Sequence, residues 1–278
     1  MQYDHSFMLP ILAYLLAFQE KTGISGLLII ESGAVQYTML GLCSEDAAVR
    51  RTATQVLSAA VARMEESRYR AKNQVNHLIC ALLASLEDNQ IELKPLPTVV
   101  GVFLFHAIQV LSDPGHSIYD KVMDTLLRSP LLDIWDIPQM LATLGHDEYY
   151  YKTLNWKLMV LSQGLRSETD LELYRKRRIF EQCLLVYGCP YTGDRTKEKV
   201  LDLLWNLAEV RGGGTTAVTR NGVVAWVRAM LVKGDVAAGT KIAWKGVVGR
   251  LIETAAERHV KDWSGGVIVP YLDAVYRA

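Results

Sequence analysis

The sequence predicts an all-α fold, an irregular HEAT/armadillo-like α-solenoid of antiparallel helix pairs. Three observations predict it. Apolar residues recur at intervals of three and four along most of the chain, which is the period of one helix face. No run alternates apolar and polar residues over strand length. Helical stretches succeed one another roughly every twenty residues, so pairs recur at about forty, without a strict sequence repeat. About six pairs fit the 278 residues. A closed helical bundle would show the same stripes; the spacing favours the solenoid. We expect a single helical-repeat domain over 1–278, with loops at 211–222 and 233–240.

Phe7, Ile11, Tyr14, Leu15 and Phe18 share one face of a first helix. Met8, Leu12 and Leu16 are the candidates for apolar surface turned to a preceding repeat. Gly23 and Gly26 punctuate the chain after this helix, and Leu27–Ile30 is the one strand candidate, equally readable as a helical turn. Ser44 is placed as an N-cap, with Glu45 and Asp46 against the positive helix end. Val49, Ala53, Val56, Leu57, Ala60, Val61 and Met64 form the stripe of the helix it starts. A second stripe runs Val75, Leu78, Ile79, Leu82, Leu83, Leu86. Pro95 and Pro97 break the chain ahead of a helix through Leu111.

Ser117 and Asp120 have capping-box spacing, with Asp in place of Glu, and Pro130 ends the helix they open. Asp136 can cap a helix with Pro138 in its first turn. A long helix covers about Glu148 to Leu165, ending near Gly164. Ser167 and Asp170 repeat the capping-box spacing ahead of a helix to Tyr187, which Cys189-Pro190 closes. Asp194 caps a helix bearing Val200, Leu203, Leu204 and Leu207. Arg211-Gly-Gly-Gly-Thr-Thr216 reads as a flexible loop, and further apolar stretches lie at 223–232, 242–256 and 267–276.

Composition narrows the function classes. Half the residues are apolar and 22% are charged, so a sizeable core can form. Thirty basic and thirty acidic residues cancel, so only a local patch could attract nucleic acid or an anionic membrane. The longest apolar stretch, Val99–Leu111, is too short to span a bilayer, and no membrane association is expected. Asp4 and His5 ahead of the first apolar run do not form a basic leader. The four cysteines, Cys43, Cys80, Cys183 and Cys189, have no CxxC spacing and read as buried free thiols in a reducing compartment.

Catalytic signals are weak. Gly234-Asp-Val-Ala-Ala-Gly239-Thr240-Lys241 approaches a phosphate-binding loop, but a threonine separates the second glycine from the lysine and no strand leads in. The histidines are scattered, and no metal site or cofactor is expected. There is no GxSxG and no HExxH. The run Tyr149-Tyr150-Tyr151 suggests stacking, yet three successive helical residues fan over about 200°, so core packing is the simpler reading. Trp156, Trp205, Trp226, Trp244 and Trp263 read as core or interface anchors.

One segment stands out. Arg166 is followed by Arg175, Lys176, Arg177 and Arg178. On a continuous helix Arg175, Arg178 and Gln182 share a side, with Lys176 and Arg177 flanking, enough to meet two or three phosphates. The same residues would serve as an import signal, or as a face balanced by Glu168, Asp170, Glu172 and Glu181. A smaller cluster, Arg63, Arg68, Arg70 and Lys72, reads as a solvated inter-helix turn.

Asp113-Pro114-Gly115-His116, Tyr119, Val122, Leu126-Leu127, Pro130, Leu132-Asp133 and Asp136-Ile137-Pro138 form one block. Trp156, Leu161, Gly164-Leu165-Arg166, Asp170, Leu173 through Arg177, Phe180-Glu181, Tyr187 and Pro190 form a second, and Tyr3-Asp4, Ser6-Phe7 and Leu9-Pro10 a short opening one. In this order and separation, over roughly residues 1 to 210, they resemble the C-terminal domain of the nucleolar pre-ribosomal-associated protein family. The resemblance implies a C-terminal piece of a very large nucleolar helical-repeat scaffold. It implies a role early in assembly of the large ribosomal subunit precursor. Its partners would be pre-ribosomal RNA, assembly factors including a DEAD-box helicase, and the preceding repeats of its own protein. It implies no enzymatic activity. It carries over no RNA-binding residues, so Arg166, Arg175, Lys176, Arg177 and Arg178 are candidates on charge alone. The competing class is a helical-repeat adaptor that binds only proteins.

Overall fold

The computed structural model describes residues 4–17, 26–65, 72–88, 94–128, 132–144, 150–232 and 237–266. Helices make up 76% of them, and no strand occurs among the described residues. Leu27–Ile30 lies in a short helix. The chain divides into two compact units, residues 1–142 with 147–153 and residues 143–146 with 154–278.

The first unit contains α1 (His5–Ala17), α2 (Gly26–Glu31), α3 (Ala34–Gly41), α4 (Ala47–Glu65), α5 (Lys72–Asp88), α6 (Thr98–Leu111) and α7 (Tyr119–Arg128). α1 packs on α4 and α3, α3 on α6, α4 on α5, α5 on α6 and α6 on α7. α6 is apolar on nearly all sides, and such a helix belongs inside. Only Thr98, Phe105 and Gln109 escape full burial along it. Pro97 is its N-cap, as the proline signal required. A side chain at Gly101 would collide with the Cys43 thiol, so glycine lets α6 approach α3 closely.

Two expectations about α1 change. Leu9 and Leu16 are the buried residues, whereas Phe7, Ile11 and Tyr14 are 66%, 38% and 60% exposed. The most exposed apolar stripe is therefore Phe7–Ile11–Tyr14; of Met8, Leu12 and Leu16 only Leu16 is buried, against α4, while Met8 and Leu12 are half-buried, and Phe18 lies outside the described residues. Arg63 is no solvated residue either. Its guanidinium is buried and donates from Nε and Nη2 to the carbonyl of Leu16, at 3.1 Å from Nε. It thereby satisfies one of the carbonyls that the end of α1 leaves without a helical partner. Arg50, 2% exposed, donates likewise to the carbonyls of Ser44 and Glu45 at 2.7 and 2.8 Å.

Caps shift by a residue or two. Asp46, not Ser44, caps α4: its Oδ1 accepts from the Ala48 amide at 2.8 Å, while Ser44 Oγ accepts from Asp46. α7 begins at Tyr119, which leaves Ser117 one residue outside the capping position. The helix expected around Pro138 is instead a set of turns: Asp136 Oδ1 accepts from its own neighbour Ile137 at 2.7 Å, and Leu141 donates to Pro138.

The second unit contains most of α8 (Tyr150–Gly164), then α9 (Glu168–Lys176), α10 (Ile179–Gly188), α11 (Asp194–Glu209), α12 (Gly213–Thr219), α13 (Val223–Val232), α14 (Ala238–Glu253) and α15 (Glu257–Ser264). Asp194 is the first residue of α11 rather than its cap, which is Gly193. The core holds Leu161, Tyr174, Phe180, Leu204 and Trp244, all below 2% exposure. Tyr187, Trp226 and Trp244 meet with ring centroids 4.9–5.8 Å apart.

The expected loop at 211–222 is largely helix. Gly212 turns the chain with φ +78°, and α12 follows, packed on α11, α13, α14 and α15. A Cβ at Gly213 would strike the Leu207 carbonyl, and one at Gly214 the Leu251 carbonyl. Glycine is needed here for close approach of backbones, a use that a sequence reading confuses with flexibility. Of the other expected loop, 233–236 lie outside the described residues, and α14 already begins at Ala238.

Candidate nucleic-acid interface

The cationic segment is built by a helix break. Ser167 caps α9 as expected: its Oγ accepts from the Asp170 amide at 3.1 Å, and Asp170 Oδ2 accepts from the Ser167 amide at 3.0 Å. Tyr174 anchors the helix from below, its hydroxyl donating to the Leu161 carbonyl at 2.6 Å. Burial, with Asp170 and Cys183 nearby, pushes its ionisation well above the ordinary range. α9 then stops at Lys176. Arg177 is its C-cap, and Arg178 adopts the left-handed conformation, φ +53°, before α10 starts. No continuous helix runs from Ser167 to Tyr187, so Arg175, Arg178 and Gln182 do not line one helix face.

What results is a cationic elbow. Lys176, Arg177 and Arg178 are exposed, Arg175 is half-buried, and Arg166 is exposed two residues before α9 with its Nε donating to the Gln163 carbonyl. Gln182 turns inward: its Oε1 accepts from the Leu144 amide at 2.9 Å and its Nε2 donates to the Arg177 carbonyl at 3.1 Å. The carboxylates thought to balance the segment are partly engaged elsewhere. Asp170 is buried in the capping box, Glu168 pairs with Arg211 at 3.2 Å, and Glu181 accepts from Asn221 at 3.0 Å.

Beside the elbow opens a groove of about 750 Å³, walled by α9, both ends of α12, the turn 254–256 and α15. Arg175, Arg211, Arg220, His259, Trp263 and Glu168 are among its lining residues. A second recess of about 440 Å³ shares Arg175 and Arg220 with it and adds Lys176, Glu172 and Glu181. The sequence reading missed Arg211, Arg220 and Trp263, which lie 36 or more positions from Arg175 and converge only through the packing of α12 and α15.

The remaining candidates gain little. Thr240 and Lys241, from the near-miss phosphate loop, sit in the first turn of α14, and no strand precedes it among the described residues. His77 and Cys80 are exposed three residues apart on α5, but no group of three or more ligand residues assembles among the described residues. Among them too, no helix is long and apolar enough to cross a membrane. Cys183 is buried, which raises its thiol's pKa; Cys80 is exposed and Cys43 and Cys189 are half-buried, contrary to the buried reading; none of the four forms a disulfide among the described residues. Tyr151 is 44% exposed rather than packed in the core, and Tyr149 lies outside the described residues. Trp244 is a core anchor as read, while Trp205 and Trp263 are 44% and 51% exposed.

A family model described as nucleolar pre-ribosomal-associated protein 1 matches residues 35–226. Proteins of that name are similar to the chain: in Mus musculus, 25% identical over 199 residues; in Homo sapiens, 24% over 199 residues; in Saccharomyces cerevisiae, 24% over 164 residues. The matches cover 71%, 71% and 54% of this chain, and 9% of each relative. No solved structure matches the chain.

Proposed function

Because the chain belongs to the nucleolar pre-ribosomal-associated protein 1 family, we propose that it is a non-catalytic scaffold of the nucleolus. It acts early in assembly of the large ribosomal subunit precursor, and it contacts pre-ribosomal RNA together with other assembly factors. Its helices form a stretch of HEAT/armadillo-like solenoid, joined to further repeats of a longer protein.

One observation supports the RNA contact above others. In a chain of zero formal net charge, three consecutive cations, Lys176, Arg177 and Arg178, are exposed at a helix break, with Arg166 and Arg175 close in sequence. Electrostatic contact with phosphates needs such a local concentration when the molecule as a whole supplies no field. The test is crosslinking of RNA to the protein in cells, with Lys176, Arg177 and Arg178 all replaced by Glu. Recovery of pre-ribosomal RNA should fall while helicity and melting temperature hold. Unchanged recovery would remove the segment from the RNA interface, and an unfolded variant would make it structural.

A protein-only adaptor is the second reading, and the exposed Phe7–Ile11–Tyr14 stripe on α1 favours it, since such stripes mark contact surfaces. RNA association that does not weaken as salt rises would select it.

A further inference from the structure

We propose that the groove between α9, α12 and α15 is a binding site for single-stranded RNA. Its arginines hold the sugar–phosphate backbone and Trp263 stacks an unpaired base. The inference rests on the RNA-contacting role proposed above and assigns it a site beside the exposed elbow, with Arg175 shared between the two.

The groove brings three guanidinium groups to one opening from three separate places. Arg175 comes from the last turn of α9, Arg211 from the turn before α12, and Arg220 from the residue after it. Arg175 and Arg220 make no ion pair among the described residues. Like charges collected around an opening without a neutralising partner raise the potential there and favour an anion. The planar, five-donor guanidinium matches a phosphate's oxygens two at a time.

The single lining carboxylate does not close the site. Glu168 is bound to Arg211 at 3.2 Å, but the two side chains are 59% and 90% exposed. An ion pair so open to water contributes little and exchanges readily for a phosphate. Arg175 and Arg220 also line the neighbouring recess, so a chain of phosphates can pass from one to the other. Glu172 and Glu181 in that recess make it the weaker end.

Size and shape decide the kind of anion. About 750 Å³ is far more than an inorganic phosphate fills, and the shared Arg175 and Arg220 join it to the second recess, which suits a polymer. At its rim Trp263 leaves half its surface in water on α15. A half-exposed indole beside arginines offers a base a flat partner, the usual companion of a cationic track in single-strand binders. A duplex keeps its bases stacked inside and would leave the indole unused. An acidic peptide would pair with the arginines but gain nothing specific from the ring.

Fluorescence anisotropy of a labelled oligouridine with the full 278-residue chain tests this, with a duplex RNA of equal length and polyglutamate as competitors. Trp263→Ala should weaken oligouridine binding about tenfold at unchanged salt slope. Arg175→Ala with Arg220→Ala should weaken it as much or more and flatten the slope. A 4-thiouridine oligomer should crosslink unaltered protein at α15 or at residues 211–220, which keeps the test independent of how any variant folds. Competition by duplex or polyglutamate at equal strength overturns the single-strand assignment. Binding that survives the substitutions, with crosslinks elsewhere, overturns the groove but leaves RNA contact standing. Binding to no RNA overturns both.

Discussion

Arg178 shows how one residue shapes the cationic elbow. Its left-handed backbone, φ +53°, ends α9 and re-aims the chain into α10. An L-residue with a Cβ is disfavoured there by about 1–2 kcal/mol, and glycine is not. Arg178→Gly should therefore raise stability by roughly 0.5–1 kcal/mol, after allowance for glycine's larger loss of chain entropy. Thermal melting would show it as a small increase. If the residue also meets phosphate, the same variant loses RNA affinity while it gains stability, a combination that a purely structural role does not produce. His5 makes the second prediction at this scale. It stacks on Tyr37 at 4.4 Å between centroids, and burial holds its pKa below 6.5, against the opposing influence of a backbone bond at Tyr37 and of Asp4. The unfolded chain then binds the proton more readily, so stability rises with pH in this range. As pH falls below about 6.5, the first unit should lose stability down to the folded-state pKa, and His5→Gln should remove that part of the pH dependence. Melting temperatures between pH 7 and pH 5 for both proteins decide it.

Helices were the most legible part of the sequence, and glycines the least. Stripes at three and four spacing located α4, α5 and α11 because one buried face per helix leaves that period in the sequence, whereas α6, buried on nearly all sides, showed as an unbroken apolar run after Pro97. The Ser167–Asp170 box was legible for a local reason: all its bonds lie within four residues. The break at Arg178 was not, since arginine carries no signal for a left-handed turn. Nor was α12, because Gly212–Gly214 look like a loop until Leu207 and Leu251 are placed against them. Three substitutions separate the uses of glycine. Gly214→Ala should cost about 3 kcal/mol, since the methyl must push apart backbones of α12 and α14. Gly212→Ala meets no atom and should cost only about 1 kcal/mol for its positive φ. Gly239→Ala, in the first turn of α14 with open space around it, should stabilise by roughly 0.5–1 kcal/mol. Denaturant midpoints in that order support α12 as a packing hub; equal small effects at 212 and 214 would return the segment to a loop.

At the scale of the molecule, the decisive quantity is a net charge of zero. A strongly basic protein binds RNA through its whole field, and single substitutions then do little. Here the far field cancels beyond a Debye length of about 8–10 Å, so only cations that touch the strand should count. The candidate site itself was half legible for the same reason: Arg175 to Arg178 are adjacent in sequence, whereas Arg211 and Arg220 join Arg175 only in the folded unit. Each phosphate neutralised on a single strand contributes about −0.7 to the slope of log affinity against log salt. Three or four contacts give a slope of roughly −2 to −3. Replacing Arg175 and Arg220 by Glu should reduce its magnitude by about 1.4, two contacts' worth. Replacing the exposed Arg51 and Lys152 by Glu changes net charge by the same amount at residues outside the groove. That variant should keep both slope and affinity. If the two double variants lose affinity alike, binding follows overall charge and no localised site is needed; if only the first does, the contacts are where α9 and α12 place them.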